Sequence, residues 1–177
     1  RIIRASKDIS TVKKLSLENQ KIFTKVTTDL IEDSQSSSKT KFNLKSNVIA
    51  EINTITDADL PRYLVHRYRY EIFPQTKTID NFPPYLQIEP TSICNYRCVF
   101  CFETDKTFID KKNGYMGQMS LDLFKKVVDQ AEGNVEFISI ASRGEPLACP
   151  DITKMLEYTV EKFLNLKLNT NASLLDE

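Results

Sequence analysis

The feature that most constrains the fold is an alternation of short apolar runs with helical patterns in the second half of the chain. The apolar runs cover residues 85–89, 135–141 and 166–168, and each is predicted to form a strand. Helical patterns with one apolar face fill the two intervals, at residues 119–131 and 151–163. This order predicts an α/β fold with a parallel sheet and right-handed crossovers. Functional loops in such sheets follow the carboxyl ends of the strands.

Three of the four cysteines fall within eight residues, shortly after the first predicted strand. They are Cys94, Cys98 and Cys101, whereas Cys149 stands apart. A disulfide stabilises most by closing a long loop, so bridges inside this cluster would contribute little. Clustered thiolates suit a metal ion or an iron–sulfur cluster instead. Three ligands fit a cubane with one open iron; structural zinc, or an electron-transfer cluster completed by Cys149, are the alternatives.

The first part of the chain has a different character. Residues 1–42 are basic, with nine Lys and Arg against five Asp and Glu, and a helix is expected over 11–32. The serine-rich run 33–40 has no apolar residue and is expected to be a mobile linker. A second helix is expected to begin near Asp59, with apolar residues along one side.

Composition excludes several classes of protein. The 24 Lys and Arg balance the 24 Asp and Glu, which argues against a dedicated nucleic-acid coat. No apolar run is long enough to span a membrane. The single His excludes a site that needs two from this chain. Residues 62–70 interleave basic and aromatic side chains, which suits RNA, but an amphipathic helix packed on its neighbour is the favoured interpretation.

Three motifs resemble those of the radical S-adenosylmethionine (radical SAM) enzymes. Residues 86–101, LQIEPTSICNYRCVFC, contain C-x3-C-x2-C with Asn95 after the first Cys and Phe100 before the last. Residues 142–146, SRGEP, are similar to the family's Gly-Gly-Glu-Pro segment, and residues 169–175, NTNASLL, resemble the end of its third strand. Each motif falls at the end of a predicted strand.

The resemblance implies a three-part organisation. Residues 1–42 are a basic helical extension with the linker, and residues 43–82 are a helical lead-in that packs on the barrel. Residues 83–177 are the first half of a partial (β/α) barrel, the radical SAM core. Because the sequence starts at Arg1 and stops within a continuing pattern, we expect a fragment that holds part of an active site.

The resemblance also implies the cofactors. Cys94, Cys98 and Cys101 would bind a 4Fe–4S cluster, whose fourth iron receives S-adenosylmethionine. Reductive cleavage gives a 5′-deoxyadenosyl radical that abstracts hydrogen from a substrate, an oxidoreductase-type reaction. By position in the motifs, five residues would contact the cofactor: Phe100 beside the adenine, Gly144, Glu145 and Pro146 at the amino group, and Asn171.

Three charged residues near these motifs have open roles. Arg143 stands where the family has glycine, and either binds an anion of cofactor or substrate or pairs with a nearby acid. Glu103 and Asp105 are interpreted as solvated loop acids, with substrate contact as the alternative.

Partners follow from the same resemblance. We expect an external one-electron donor of the flavodoxin or ferredoxin type, a cytoplasmic location, and neither membrane nor nucleic acid as partner. The substrate is expected to be a peptide, a carbohydrate or a small metabolite rather than RNA.

Overall fold

The computed structural model describes residues 1–31, 40–141 and 143–175. The chain divides into two compact units, residues 1–84 and 85–177. Within the described ranges, no helix combines the length and the apolar character needed to cross a membrane.

The N-terminal unit is helical. In its described part it contains α1 (Ile2–Lys7), α2 (Ile9–Val12), α3 (Leu17–Ile31), α4 (Ser46–Thr54) and α5 (Leu60–Thr76). Helices α3 and α5 pack against each other, and α1 contacts both. The apolar side chains between them form the core of the unit, including Phe23, Val26, Phe42, Val48, Leu64 and Tyr68.

The single helix predicted over residues 11–32 is wrong at its start. The chain turns between α2 and α3, and α3 begins only at Leu17. The Ser16 hydroxyl accepts a hydrogen bond from the Asn19 N–H at 3.2 Å, which caps the new helix. The predicted linker at 33–40 lies outside the described residues, apart from its last position.

Helix α5 begins as predicted, with Asp59 at the N-cap and Pro61 in the first turn. The burial extends beyond the predicted apolar side, because Tyr63, Val65 and His66 are buried as well. A helix buried on several sides lies at the centre of its unit. The residues predicted to form the apolar side are also buried, namely Leu60, Leu64, Tyr68 and Ile72.

The arginines of the basic and aromatic segment are engaged in ion pairs. Arg69 Nε lies 2.5 Å from Asp80 Oδ2, and both side chains are largely buried. Arg67 pairs with Glu71 one turn further along α5. These contacts hold the segment within its own unit. The packing of residues 43–82 on the barrel stays a prediction.

The C-terminal unit is built on a three-stranded parallel sheet, which confirms the predicted α/β class. The strands β1 (Tyr85–Ile88), β2 (Phe137–Ile140) and β3 (Asn165–Leu168) lie side by side in chain order. The sheet is open, as expected for part of a barrel. Tyr85 is in register with Phe137, and Phe137 with Asn165. The three strands therefore end level, at Ile88, Ile140 and Leu168.

Two crossover helices connect the strands, as predicted. They are α7 (Leu121–Ala131) and α8 (Ile152–Tyr158), and α8 ends five residues earlier than predicted. A short helix α6 (Lys106–Ile109), which was not predicted, follows the cysteine cluster. The Ser120 hydroxyl caps α7 by accepting from the Leu123 N–H at 3.2 Å. The core between the helices and the sheet contains Ile88, Phe124, Val128, Ile140, Cys149, Ile152 and Met155.

Candidate metal and cofactor site

The three clustered cysteines lie on one loop that follows the carboxyl end of β1. Cys94, Cys98 and Cys101 are half-buried and carry free thiols. The Tyr96 N–H donates to Cys94 Sγ at 3.4 Å, and the Cys101 N–H donates to the Cys98 carbonyl at 2.9 Å. In the described part of the chain, no group of three His, Cys, Asp or Glu side chains is close enough together to hold a metal ion. The role of these thiols as cluster ligands therefore stays a prediction.

Cys149 has a different environment. It is 3% exposed and belongs to the apolar core with Phe124, Val128 and Met155. A buried free cysteine in such surroundings behaves as a small hydrophobic side chain. The loop thus offers three thiols, and the fourth lies in the core.

The turn after β2 lies directly against the residues that precede Cys94. Gly144 has φ +69°, and a Cβ built on it would lie 2.4 Å from the Thr91 carbonyl oxygen and 2.8 Å from that of Ile93. The next residue, Glu145, donates its N–H to the Ile93 carbonyl at 2.9 Å. Only glycine fits this approach, because the backbone of the cysteine loop occupies the space of a side chain.

Glu103 strengthens this contact from the other end of the cysteine loop. Its carboxylate accepts a hydrogen bond from the Gly144 N–H at 3.3 Å and lies 3.8 Å from the Arg97 guanidinium. The residue is 4% exposed, so its interpretation as a solvated acid was wrong. Asp105 does lie at the surface, where hydrogen bonds from Thr107 lower its pKa and begin α6.

Glu145 connects the turn after β2 to the loop after β3. Its side chain is 2% exposed and accepts three hydrogen bonds. The donors are the Leu147 N–H at 3.0 Å, the Thr170 hydroxyl at 2.5 Å and the Asn171 N–H at 2.7 Å. Both carboxylate oxygens are therefore occupied by the protein itself. A ligand at this turn would therefore contact backbone groups rather than the Glu145 carboxylate.

Amide side chains complete the connection between the first and third strand ends. Asn171 Nδ2 donates to Asn95 Oδ1 at 2.9 Å, and Asn95 Nδ2 donates to the Ser173 hydroxyl at 2.8 Å. In the sequence, Asn95 stands out only as part of the cysteine motif, because its partners Asn171 and Ser173 lie more than 70 residues away. Three segments separated along the chain thus meet at one edge of the sheet.

Arg143 pairs with an acid at the end of β1. Its Nη2 lies 2.8 Å from Glu89 Oε1 and its Nε lies 3.2 Å from Oε2, while its backbone N–H donates to the same Oε2 at 2.9 Å. A further bond runs from Nη1 to the Tyr115 carbonyl at 3.1 Å. The carboxylate raises the pKa of Arg143. Of the two roles considered for this residue, the structure shows the ion pair.

A pocket that was not predicted opens beside this ion pair. Its volume is about 290 Å³, and its walls come from Glu89, Arg143 and residues 114–119. The latter segment is tied to the start of the cysteine loop, because the Gly117 N–H donates to the Ser92 hydroxyl at 2.7 Å. In the sequence, the feature that could have indicated this pocket is the set of glycines and methionines in residues 114–119, GYMGQM.

The cysteine loop also presents apolar side chains to solvent. Phe100 is 89% exposed and Val99 is 91% exposed. Exposed apolar groups beside a polar edge are typical of ligand or partner contact. The predicted position of Phe100 against an adenine stays a prediction.

Residues 88–177 match the radical SAM superfamily. The match extends from the end of β1 through the loop after β3, and it covers half of the chain. The chain therefore belongs to the radical SAM superfamily.

Curated relatives share this segment. The chain is 34% identical over 95 residues to the tungsten-containing aldehyde ferredoxin oxidoreductase cofactor-modifying protein of Pyrococcus furiosus, covering 52% of this chain and 25% of that protein. It is 30% identical over 97 residues to the AdoMet-dependent heme synthase of Methanosarcina barkeri, with 55% and 26% covered. It is 34% identical over 96 residues to the GTP 3′,8-cyclase of Campylobacter lari, with 52% and 29% covered.

The chain spans about a quarter of the length of these relatives. No solved structure gives a significant match.

Proposed function

We propose that this chain forms the first part of the active site of a radical SAM enzyme. Cys94, Cys98 and Cys101 hold three irons of a 4Fe–4S cluster, and the fourth iron is left for S-adenosylmethionine. When bound and reduced, the cluster supplies the electron that cleaves S-adenosylmethionine to methionine and a 5′-deoxyadenosyl radical, which abstracts hydrogen from the substrate.

The donor set of the chain fits this cluster. Thiolates are the ligands that iron–sulfur clusters take, and three free thiols lie on one loop. A structural zinc site normally has four protein ligands, and an electron carrier of the 4Fe–4S type normally has four cysteines. Cys149 does not serve either alternative from its place in the core.

One observation carries the proposal: hydrogen bonds join the cysteine loop to the loops after β2 and β3. Gly144 donates to Glu103, Asn171 donates to Glu145, and Asn171 also donates to Asn95. A cluster and a cofactor that share one iron need the loops around them fixed relative to each other. This network supports such a shared site.

The residues of these loops have separate tasks in the proposal. The backbone of Gly144, Glu145 and Pro146 receives the amino group of S-adenosylmethionine, because a carbonyl oxygen is a suitable acceptor for an ammonium group. Phe100 packs on the adenine, and Asn171 borders the cofactor. The Glu145 side chain positions the loop rather than the ligand, since its oxygens are already occupied.

The whole protein would need an external one-electron donor of the flavodoxin or ferredoxin type. Its substrate is proposed to be a peptide, a carbohydrate or a small metabolite. The relatives' names refer to a cofactor-modifying protein, to a heme synthase and to a GTP cyclase. Because proteins with such different names share this segment, we infer that residues outside the segment select the substrate.

The test uses the longest natural protein in which the chain occurs, reconstituted anaerobically with iron and sulfide and then reduced. We expect a 4Fe–4S electron paramagnetic resonance signal that changes when S-adenosylmethionine is added. A signal that ignores the cofactor would favour an electron carrier. Zinc uptake without any cluster would favour a structural zinc module.

Matched cysteine variants assign the ligands. Cys98→Ala should lose most of the bound iron, whereas Cys149→Ala should keep the iron content and the spectral response to S-adenosylmethionine. Full iron content in Cys98→Ala would refute the ligand assignment. Loss of the cluster in Cys149→Ala, in a protein whose circular dichroism is unchanged, would restore the four-thiol alternative.

A further inference from the structure

Two consecutive backbone N–H groups at the turn after β2 bond to opposite ends of the cysteine loop. The Glu145 N–H donates to the Ile93 carbonyl at 2.9 Å, just before the first cysteine. The Gly144 N–H donates to the Glu103 carboxylate at 3.3 Å, just after the last cysteine. Because a peptide group is planar, each bond fixes the orientation of a whole peptide group.

The carbonyl oxygens of the same two peptide groups belong to Arg143 and Gly144. In a trans peptide the C=O points opposite to the N–H, so both oxygens are turned away from their acceptors in the cysteine loop. Among the residues that the structure describes, none donates a hydrogen bond to either oxygen. Two carbonyl oxygens held in fixed directions are suitable acceptors for a ligand with several N–H donors, such as an ammonium group.

Glu103 differs from the other acceptor because it carries a negative charge, and it is 4% exposed. Within the described part of the chain, its carboxylate accepts only the bond from Gly144, and its ion-pair partner, the Arg97 guanidinium, lies 3.8 Å away. Arg97 is half exposed, and its Nη1 donates to the carbonyl oxygens of Cys94 and Tyr96 at 2.8 and 2.7 Å. The buried charge of Glu103 is therefore only partly compensated.

A carboxylate that accepts from a peptide N–H also affects the carbonyl group of that peptide. Hydrogen bonds in series polarise one another, so the bond to Glu103 increases the negative charge on the Arg143 oxygen. The charge of Glu103 itself also extends to the turn, because the protein interior screens a buried charge weakly. A cation at this turn would be attracted by the carbonyl oxygens and by the carboxylate behind them.

We propose that Glu103 is a positioning residue for the ammonium group of the cofactor. Its carboxylate holds the peptide between Arg143 and Gly144 in one orientation, and it supplies negative charge that favours a cationic ligand over a neutral one. This inference rests on the proposed function, because it takes S-adenosylmethionine as the ligand of the turn. Glu103 lies outside the three sequence motifs, and only the folded loop brings it to this place.

The test compares two ligands on the longest natural protein in which the chain occurs, with its cluster reconstituted and oxidised so that nothing is cleaved. One ligand is S-adenosylmethionine, and the other is its analogue with hydrogen in place of the amino group. Glu103→Gln keeps an acceptor oxygen for the Gly144 N–H but removes the charge. We expect the dissociation constant for S-adenosylmethionine to rise about tenfold, with unchanged iron content and unchanged affinity for the analogue.

Asp105→Asn is the matched control, because this acid lies on the same loop but at the surface. It should leave both affinities unchanged. In Glu103→Gln, an equal loss for both ligands would show a merely structural role, and no loss for S-adenosylmethionine would show no role; either result overturns the inference. If the unaltered protein does not bind S-adenosylmethionine, the proposed function fails and this inference fails with it.

Hydrogen exchange tests the contact without any substitution. In the unaltered protein, the Gly144 amide should exchange at least about tenfold more slowly than an unprotected amide, because Glu103 accepts its hydrogen bond in a buried place. Exchange at the unprotected rate would overturn the inference even if Glu103→Gln did not fold.

Discussion

The two units hold buried charge in different ways. In the N-terminal unit, the buried Arg69 pairs with Asp80, eleven residues further along the chain. In the C-terminal unit, the buried Glu103 accepts from the Gly144 N–H, 41 residues away. The first contact can form as soon as one helix and its following turn have formed. The second requires the parallel sheet, because only the sheet brings the two loops together.

This difference has a functional meaning. The candidate site consists of loops whose contacts are mostly between distant segments, so its geometry depends on the whole C-terminal unit. The two buried carboxylates of the site, Glu103 and Glu145, accept hydrogen bonds from backbone N–H groups of distant loops. Substitutions at the site should therefore act by displacing the backbone of these loops. Substitutions in α5 should act through the burial and ionisation of side chains.

The largest effect is expected for Gly144→Ala. The new methyl group would lie 2.4 Å from the Thr91 carbonyl oxygen, and the backbone has φ +69°. Because both neighbours are backbone, the contact cannot relax without moving the cysteine loop. We expect a loss of about 3 kcal/mol or more in the free energy of unfolding, measured by urea denaturation. Hydrogen exchange should show the loss in residues 85–177.

Gly133→Ala is the matched control for this variant. Gly133 has a similar φ of +76°, but a Cβ there would meet no atom within 4 Å. Only the backbone strain remains, so we expect a loss of about 1 kcal/mol. Equal losses in the two variants would mean that strain, rather than the close approach of the two loops, explains Gly144.

The difference between local contacts and contacts between distant segments also explains which features could be predicted from the sequence. The three strands and the crossover helices α7 and α8 follow from local periodicity, and the N-terminus of α5 follows from Asp59 and Pro61. Helix α4 and the break before Leu17 were missed, because weak local patterns there are decided by packing. The burial of Glu103 could not be inferred, since its partner is 41 residues away.

The next effect is expected for Glu145→Gln. The amide keeps the shape of the side chain but replaces one acceptor oxygen with a donor group. At least one of the N–H and O–H groups that now donate to Glu145 would then lose its acceptor. We expect a loss of about 2 kcal/mol in the free energy of unfolding, measured by urea denaturation. Glu132→Gln, at an exposed acid paired with Lys162, should change little. Equal changes would contradict a positioning role for Glu145.

The pH dependence of stability tests the N-terminal unit, where burial is expected to control ionisation. Burial, with a further contribution from Arg67, lowers the pKa of His66 to about 4. The unfolded chain, with an ordinary pKa near 6.5, binds the proton more readily between these values. Stability contributed by the neutral imidazole is therefore complete above about pH 6.5 and falls as the pH drops towards 4. We expect a loss of about 2 kcal/mol between pH 7 and pH 5.

His66→Gln should remove this part of the pH dependence, measured by urea denaturation at both pH values. Since the chain has a single His, its ring signal in nuclear magnetic resonance reports the native pKa directly. A native pKa near 6.5 would show that burial on α5 does not govern the ionisation of His66. The proposed difference between the two units in how they hold buried charge would then be weaker.

The smallest effect is expected for Arg143→Lys, which tests whether the two-pronged geometry of the ion pair matters at the strand edge. Lysine keeps the positive charge but loses the two-pronged contact with Glu89 and the bond to the Tyr115 carbonyl. Because the arginine side chain is 34% exposed, solvent screens the pair, and we expect a loss of about 1 kcal/mol by urea denaturation. A loss as large as that of Gly144→Ala would mean that the ion pair, and not the backbone approach, holds the turn after β2. No loss would mean that Gly144, Glu145 and the backbone N–H of residue 143 are enough to hold the turn. That N–H donates to Glu89 with either side chain.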